Sequence, residues 1–76
     1  MEELVRYMAE SLVDDPESVE VREVRGRSGK VLELRVADDD MGRVIGKGGR
    51  IVNAMRSLVD VAAEQKDTRV RLDVVD

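Results

Sequence analysis

Apolar residues recur along this chain with two different periods, and the changes of period mark its elements. Leu4, Val5, Met8, Leu12 and Val13 share one stripe of a helix predicted over residues 2–13, with Glu2, Glu3, Arg6 and Glu10 outside it. Glu2 and Glu3 also stand at the positive end of that helix's dipole, where negative charge is stabilising. Asp14-Asp15-Pro16 closes the segment. From Ser18 to Arg25 the period falls to two, because Val19 and Val21 alternate with charges. The phase slips at Val24, which predicts a strand with a bulge near its end. Gly26-Arg27-Ser28-Gly29 supplies a turn, and Lys30 to Ala37 alternates again, Leu32, Leu34 and Val36 against Glu33 and Arg35. These two strands read as a hairpin.

The second half returns to the helical period. One of Asp38, Asp39 and Asp40 is expected to cap a short helix beginning near Met41, by accepting a bond from an unpaired amide. Glycines end that helix, and a second runs from about Arg50 to Gln65. Its stripe is read through Ile51, Met55, Leu58 and Ala62, widened by Val52 and Val59. Thr68 to Val74 alternates Val70, Leu72 and Val74 against Arg69, Arg71 and Asp73, the last strand. The order α-β-β-α-α-β defines an α+β class. A strand that returns through helices crosses over right-handedly, so the second and third strands should be parallel while the first two are antiparallel. The expected architecture is a three-stranded mixed sheet with three helices on one face. Arg22, Glu33, Arg35, Arg69, Arg71 and Asp73 are expected on the other.

Composition narrows what such a unit can do. Seventy-six residues are expected to form one domain, 1–76, that buries about 60% of its unfolded surface. Cysteine and histidine are both absent, which removes disulfides, thiolate metal sites and the commonest general base. Ser11, Ser18, Ser28 and Ser57 therefore have no imidazole to activate them. No apolar run reaches the roughly 18 residues of a membrane span, and Met1-Glu2-Glu3 is acidic where a signal peptide is basic. The reading is a cytoplasmic protein without a membrane segment, cofactor or metal. Asp38-Asp39-Asp40 is compatible with a hard cation, but a cap with a solvated loop is the expected role.

Charge is what singles out one segment. Between Met41 and Val59 stand Arg43, Lys47, Arg50 and Arg56 and no carboxylate, so with a net charge of −4 the rest of the chain carries −8. At the centre of this island lies Val44-Ile45-Gly46-Lys47-Gly48-Gly49-Arg50-Ile51-Val52. Glycine backbone can approach a phosphate closely, and amides at a helix start favour negative charge, so a nucleic-acid backbone clamp is the first hypothesis. Nucleotide-hydrolysing and dinucleotide loops both fail on spacing: Gly42 to Gly46 leaves three residues where four are needed, and no Gly-x-Gly-x-x-Gly follows a strand. Arg56 is expected to solvate the outer face of its helix. Arg25, Arg27 and Lys30 are expected to form a solvated turn, with a second basic contact as the alternative.

Val-Ile-Gly-Lys-Gly-Gly-Arg-Ile-Val resembles the signature of the KH domain, Val-Ile-Gly-x-x-Gly-x-x-aliphatic, and its place between two helices resembles the KH core. The extra helix and strand before that core resemble the type II arrangement. The match spans essentially the whole chain. Together with Gly42-Arg43 and Ala54-Met55-Arg56-Ser57-Leu58-Val59, it resembles the small stand-alone bacterial KH proteins of the KhpA family. That resemblance implies a grip on about four nucleotides of single-stranded RNA, or of single-stranded DNA, with the Gly-x-x-Gly loop against the backbone. It places Gly46, Lys47, Gly48 and Gly49 at the loop and Arg43 and Arg50 on flanking phosphates. Val44 and Ile45 would line one side of an aliphatic base groove, and Leu34 or Val36 the other. It further implies a non-enzymatic RNA chaperone or post-transcriptional regulator, working as a homodimer or with a larger KH protein, KhpB. Val59 or Val61 would serve such an interface. The competing reading is a scaffold module with a KH fold and little nucleic-acid binding of its own, which the net acidity favours.

Overall fold

A computed structural model describes residues 1–76. Glu2 and Glu3 open helix α1 (Glu2–Leu12), whose buried line passes through Val5 and Ala9. Met1, Met8 and Val13 pack beside this line, whereas Leu12 remains partly exposed. The helix ends where Val13 turns extended, and Pro16 starts a single 3-10 turn, Pro16–Ser18. Strands β1 (Glu20–Gly26) and β2 (Gly29–Arg35) then pair antiparallel, from Glu20 opposite Arg35 to Gly26 opposite Gly29.

This pairing is unbroken, so the bulge expected near Val24 is absent. Val24 instead stands opposite Val31 on the helix-free face, and both valines are half-buried. A cross-strand apolar pair shelters itself there, which is why the hydrophobic phase could slip without the backbone slipping. A second 3-10 turn (Asp38–Asp40) leads into the short helix α2 (Met41–Ile45). After the glycines comes α3 (Arg50–Gln65), then β3 (Val70–Val74), which pairs parallel with β2. The sheet order is β1-β2-β3, the mixed sheet and crossover expected from the pattern. Its register puts Arg22, Glu33 and Asp73 in one row of the helix-free face. Leu32, Leu34 and Leu72 point the other way, beneath the helices, and are fully buried.

Helix α3 departs from the expected stripe. Its buried residues are Val52, Met55, Val59 and Ala63, while Leu58 is 53% exposed. The sequence offers apolar residues on both sides of Met55, so periodicity allows two faces rotated by one residue. Packing selects the face that carries Val52, Val59 and Ala63, with Met55 and Val59 in the same buried cluster as Leu32 and Leu72. The helix stops in a left-handed turn at Asp67 (φ 53°), with the Thr68 N–H donating to the Ala63 carbonyl.

Candidate nucleic-acid interface

The Gly46–Gly49 segment joins α2 to α3 through one tight turn. Gly46 has φ 76° and ψ 170°, and its N–H donates to the Gly42 carbonyl, closing α2. A β-carbon at Gly46 would lie 2.6 Å from Cγ1 of Ile51. Both the backbone angle and the packing therefore demand glycine at this position. Gly48 and Gly49 follow in the left-handed region, at φ 64° and 78°, and a β-carbon at Gly48 would meet open space. Lys47, Gly48 and Arg50 are exposed, and no side chain caps the start of α3. Neither Lys47 nor Arg50 has a carboxylate partner. The loop therefore presents two unneutralised cations beside an uncapped helix start, where backbone amides favour an anion.

Arg43 is differently placed. Its Nη1 donates to Asp40 Oδ1 at 2.9 Å and to the Asp39 carbonyl at 3.1 Å, while Nη2 lies 3.0 Å from Asp14 Oδ2. Both arms of the guanidinium are thus engaged within the chain. Asp40 is the buried centre of this group, and it does not cap α2. Its backbone is already helical and its carboxylate makes no bond to the first amides of α2. Instead it accepts from the N–H groups of Asp14 and Asp15, both at 3.1 Å, tying the α1–β1 connection to the start of α2. Those amides had no partner in their own connection, which is why the carboxylate turned toward them.

The Asp14 amide, with the Asp15 amide and the Arg43 guanidinium, holds the Asp40 carboxyl below the ordinary aspartate range against the opposing effect of burial. A depressed carboxyl contributes stability that is present above its unfolded value and lost as pH falls through its folded value. The protein is therefore expected to lose stability as pH drops below about 4. Asp40→Asn should reduce that acid sensitivity in thermal melts recorded across this range, and an unchanged slope would show that Asp40 is not its source.

The residues expected to line a base groove separate on burial. Leu34, Val36 and Val44 are buried, packed into the core. Ile45 is half-buried, as is Ile51 behind Gly46, so these two supply the accessible aliphatic surface nearest the loop. Arg56 is also half-buried, and solvation is not its role. Its Nε donates to the Leu72 carbonyl at 3.0 Å and its Nη1 to Asn53 Oδ1 at 3.1 Å, fastening α3 to β3. The signal for Arg56 lay in the strand that follows: β3 runs back alongside α3, on the side where position 56 falls. The signal for Asp40 was its spacing of three residues from Arg43.

No helix is long and apolar enough to cross a membrane, and no group of carboxylates is placed to hold a metal ion. A Gly-x-x-Gly loop between two helices, on a three-stranded mixed sheet preceded by an extra helix and strand, defines a type II KH domain. Residues 2–74 match the family model described as KhpA/KhpB, KH domain. A protein of Caldanaerobacter subterraneus named RNA-binding protein KhpA is 48% identical over 75 residues, covering 99% of this chain and 100% of that one. The protein of that name from Halalkalibacterium halodurans is 47% identical over 76 residues and all of both chains. The Chlamydia trachomatis protein is 38% identical over 76 residues, all of this chain and 97% of that one. The chain belongs to the KhpA/KhpB family of KH-domain proteins, a non-enzymatic family. No solved structure matches it.

Proposed function

We propose that this protein binds single-stranded RNA, gripping the backbone with the Gly46–Gly49 loop and laying bases against Ile45 and Ile51. The observation that carries this reading is the loop itself: left-handed glycines and two unpaired cations in a chain whose remaining charge is strongly negative. The relatives named RNA-binding protein KhpA support it. Lys47 and Arg50 neutralise phosphates, while Arg43 supports the loop from below through Asp40. Val44, Leu34 and Val36 shape the groove from within the core. The protein acts in the cytoplasm through one KH domain, 1–76, as an RNA chaperone or post-transcriptional regulator. A single-stranded DNA backbone offers the same phosphates, so binding to it is part of the proposal.

Two phosphate contacts predict that log affinity for a short RNA falls with log salt at a slope near −1.4, at roughly −0.7 per phosphate of a single strand. Fluorescence titrations of a four-nucleotide RNA across a salt series measure this slope. A flat response would remove the electrostatic role and favour the scaffold reading.

A homodimer, or a heteromer with a KhpB-like KH protein, is part of the same proposal, because linking two weak grooves raises effective concentration without new contacts. Val59 is fully buried in its own core and cannot serve that interface, whereas Val61 and Leu58 are 54% and 53% exposed on α3. A chain that sediments only as a monomer would exclude the homodimer.

A further inference from the structure

Cations without a protein partner are not spread evenly over this molecule. Lys47 and Arg50 stand at the loop, Arg22 on the helix-free face of the sheet, and Arg25, Arg27, Lys66 and Arg69 at the far end. The two ends are separated by the whole of α3, whose 16 residues span about 24 Å. Between the β1–β2 turn and the α3–β3 connection lies an open cleft of about 950 Å³. Arg27 and Lys30 line it from the hairpin, Asp67 and Arg69 from the α3–β3 connection, Arg71 from β3, and Asp60 and Glu64 from α3. No ion pair crosses it: Arg71 is paired with Asp73 along its own strand and Lys30 weakly with Glu23, whereas Arg27 and Arg69 are unpaired.

The basic wall is also held in place. The Lys30 N–H donates to the Arg69 carbonyl at 3.1 Å, and a β-carbon on Gly29 would stand 2.6 Å from that same oxygen. Glycine at position 29 lets the hairpin turn close directly onto the α3–β3 connection, so the backbones carrying Arg27 and Arg69 form one unit. The left-handed turn at Asp67 fixes the approach of that connection.

We infer that this cleft is a second phosphate-contact site, with Arg27 and Arg69 as its principal ligands, which engages an RNA strand that extends beyond the loop. The inference rests on the RNA-binding reading of the Gly46–Gly49 loop. The acids on α3 keep phosphates against the hairpin wall and turn the opposite side of the strand toward the helix. A strand of about four nucleotides, the length one KH groove grips, is held by the loop alone. A longer strand meets both ends.

The test compares a four-nucleotide RNA with one of about ten nucleotides on the parent chain, on Arg27→Gln with Arg69→Gln, and on Arg22→Gln with Arg35→Gln, which matches the charge change on the helix-free face. The Arg27/Arg69 variant should bind the longer RNA roughly 25-fold more weakly at about 0.1 M salt, with the slope shallower by about 1.4, the contribution of two single-strand phosphates. Its affinity for the short RNA should be unchanged, and the Arg22/Arg35 variant should resemble the parent on both. Equal losses on both lengths, equal losses in the two variants, or no loss on the longer RNA would each overturn the second site. Lys47→Glu in the same titrations separates the two readings, because loss of short-RNA binding in that variant keeps the loop assignment standing whatever the cleft does.

Discussion

Lys47→Asp combined with Gly48→Asp should weaken binding of a four-nucleotide RNA by roughly 100-fold, while circular dichroism stays that of a folded chain and the thermal midpoint falls by only about 4–8 °C. Losing the Lys47 contact accounts for about fivefold of this at 0.1 M salt. Each new carboxylate near a phosphate adds repulsion of about 1 kcal/mol even at the dielectric constant of water. The fold should tolerate the change because both positions are exposed and a side chain at Gly48 meets nothing. Aspartate is one of the few L-residues that enters the left-handed region, at a cost of about 1 kcal/mol. Three glycines with positive φ shape the loop, Gly46, Gly48 and Gly49, and this variant leaves the first and last intact. A folded double variant that binds RNA with parent affinity would remove the loop from the interface.

Leu34→Ala should act by the opposite route, lowering the free energy of unfolding by about 2–5 kcal/mol, the range for truncating a buried leucine. Leu34 is fully buried near the C-terminal end of the central strand β2, between Val21 and Val74. A chain of this length is expected to have only about 4–11 kcal/mol in total, so the loss is a large share of it. Denaturant unfolding should show a lower midpoint with an unchanged slope, and the fraction that remains folded should still bind RNA. A variant of parent stability with weakened binding would instead place Leu34 in contact with the bases.

These two variants also separate what was legible in the sequence from what was not. The strands, their antiparallel and parallel pairing, and the loop between two helices follow from local periodicity and from glycine positions, which depend on a few adjacent residues. Leu34 and Val36 alternate correctly, yet alternation cannot say whether an inward residue reaches a groove or stops in the core. For α3, Ile51, Leu58 and Ala62 sit at helical spacing as well as Val52, Val59 and Ala63 do. Only the sheet decided between them. Arg43 and Asp40 were visible as a pair three residues apart and Arg56 as a charge, but their other partners lie across the fold: Asp40 binds amides 25 and 26 residues earlier, and Arg56 a carbonyl 16 residues later. Residue type and short-range pattern carry no information about contacts at that separation.

The bond from Arg56 to Leu72 has a consequence for association of the chain with itself. Arg69 and Val75 bond β2, so the alternation along β3 turns the Leu72 carbonyl away from β2, toward the β3 edge, one of the sheet's two unpaired edges. That edge is where another strand would add, and a guanidinium seated on its middle acceptor blocks the ladder such a strand needs. Arg56 thus occupies the middle acceptor of the β3 edge and disfavours strand addition there, which leaves the β1 edge as the more open border of the sheet.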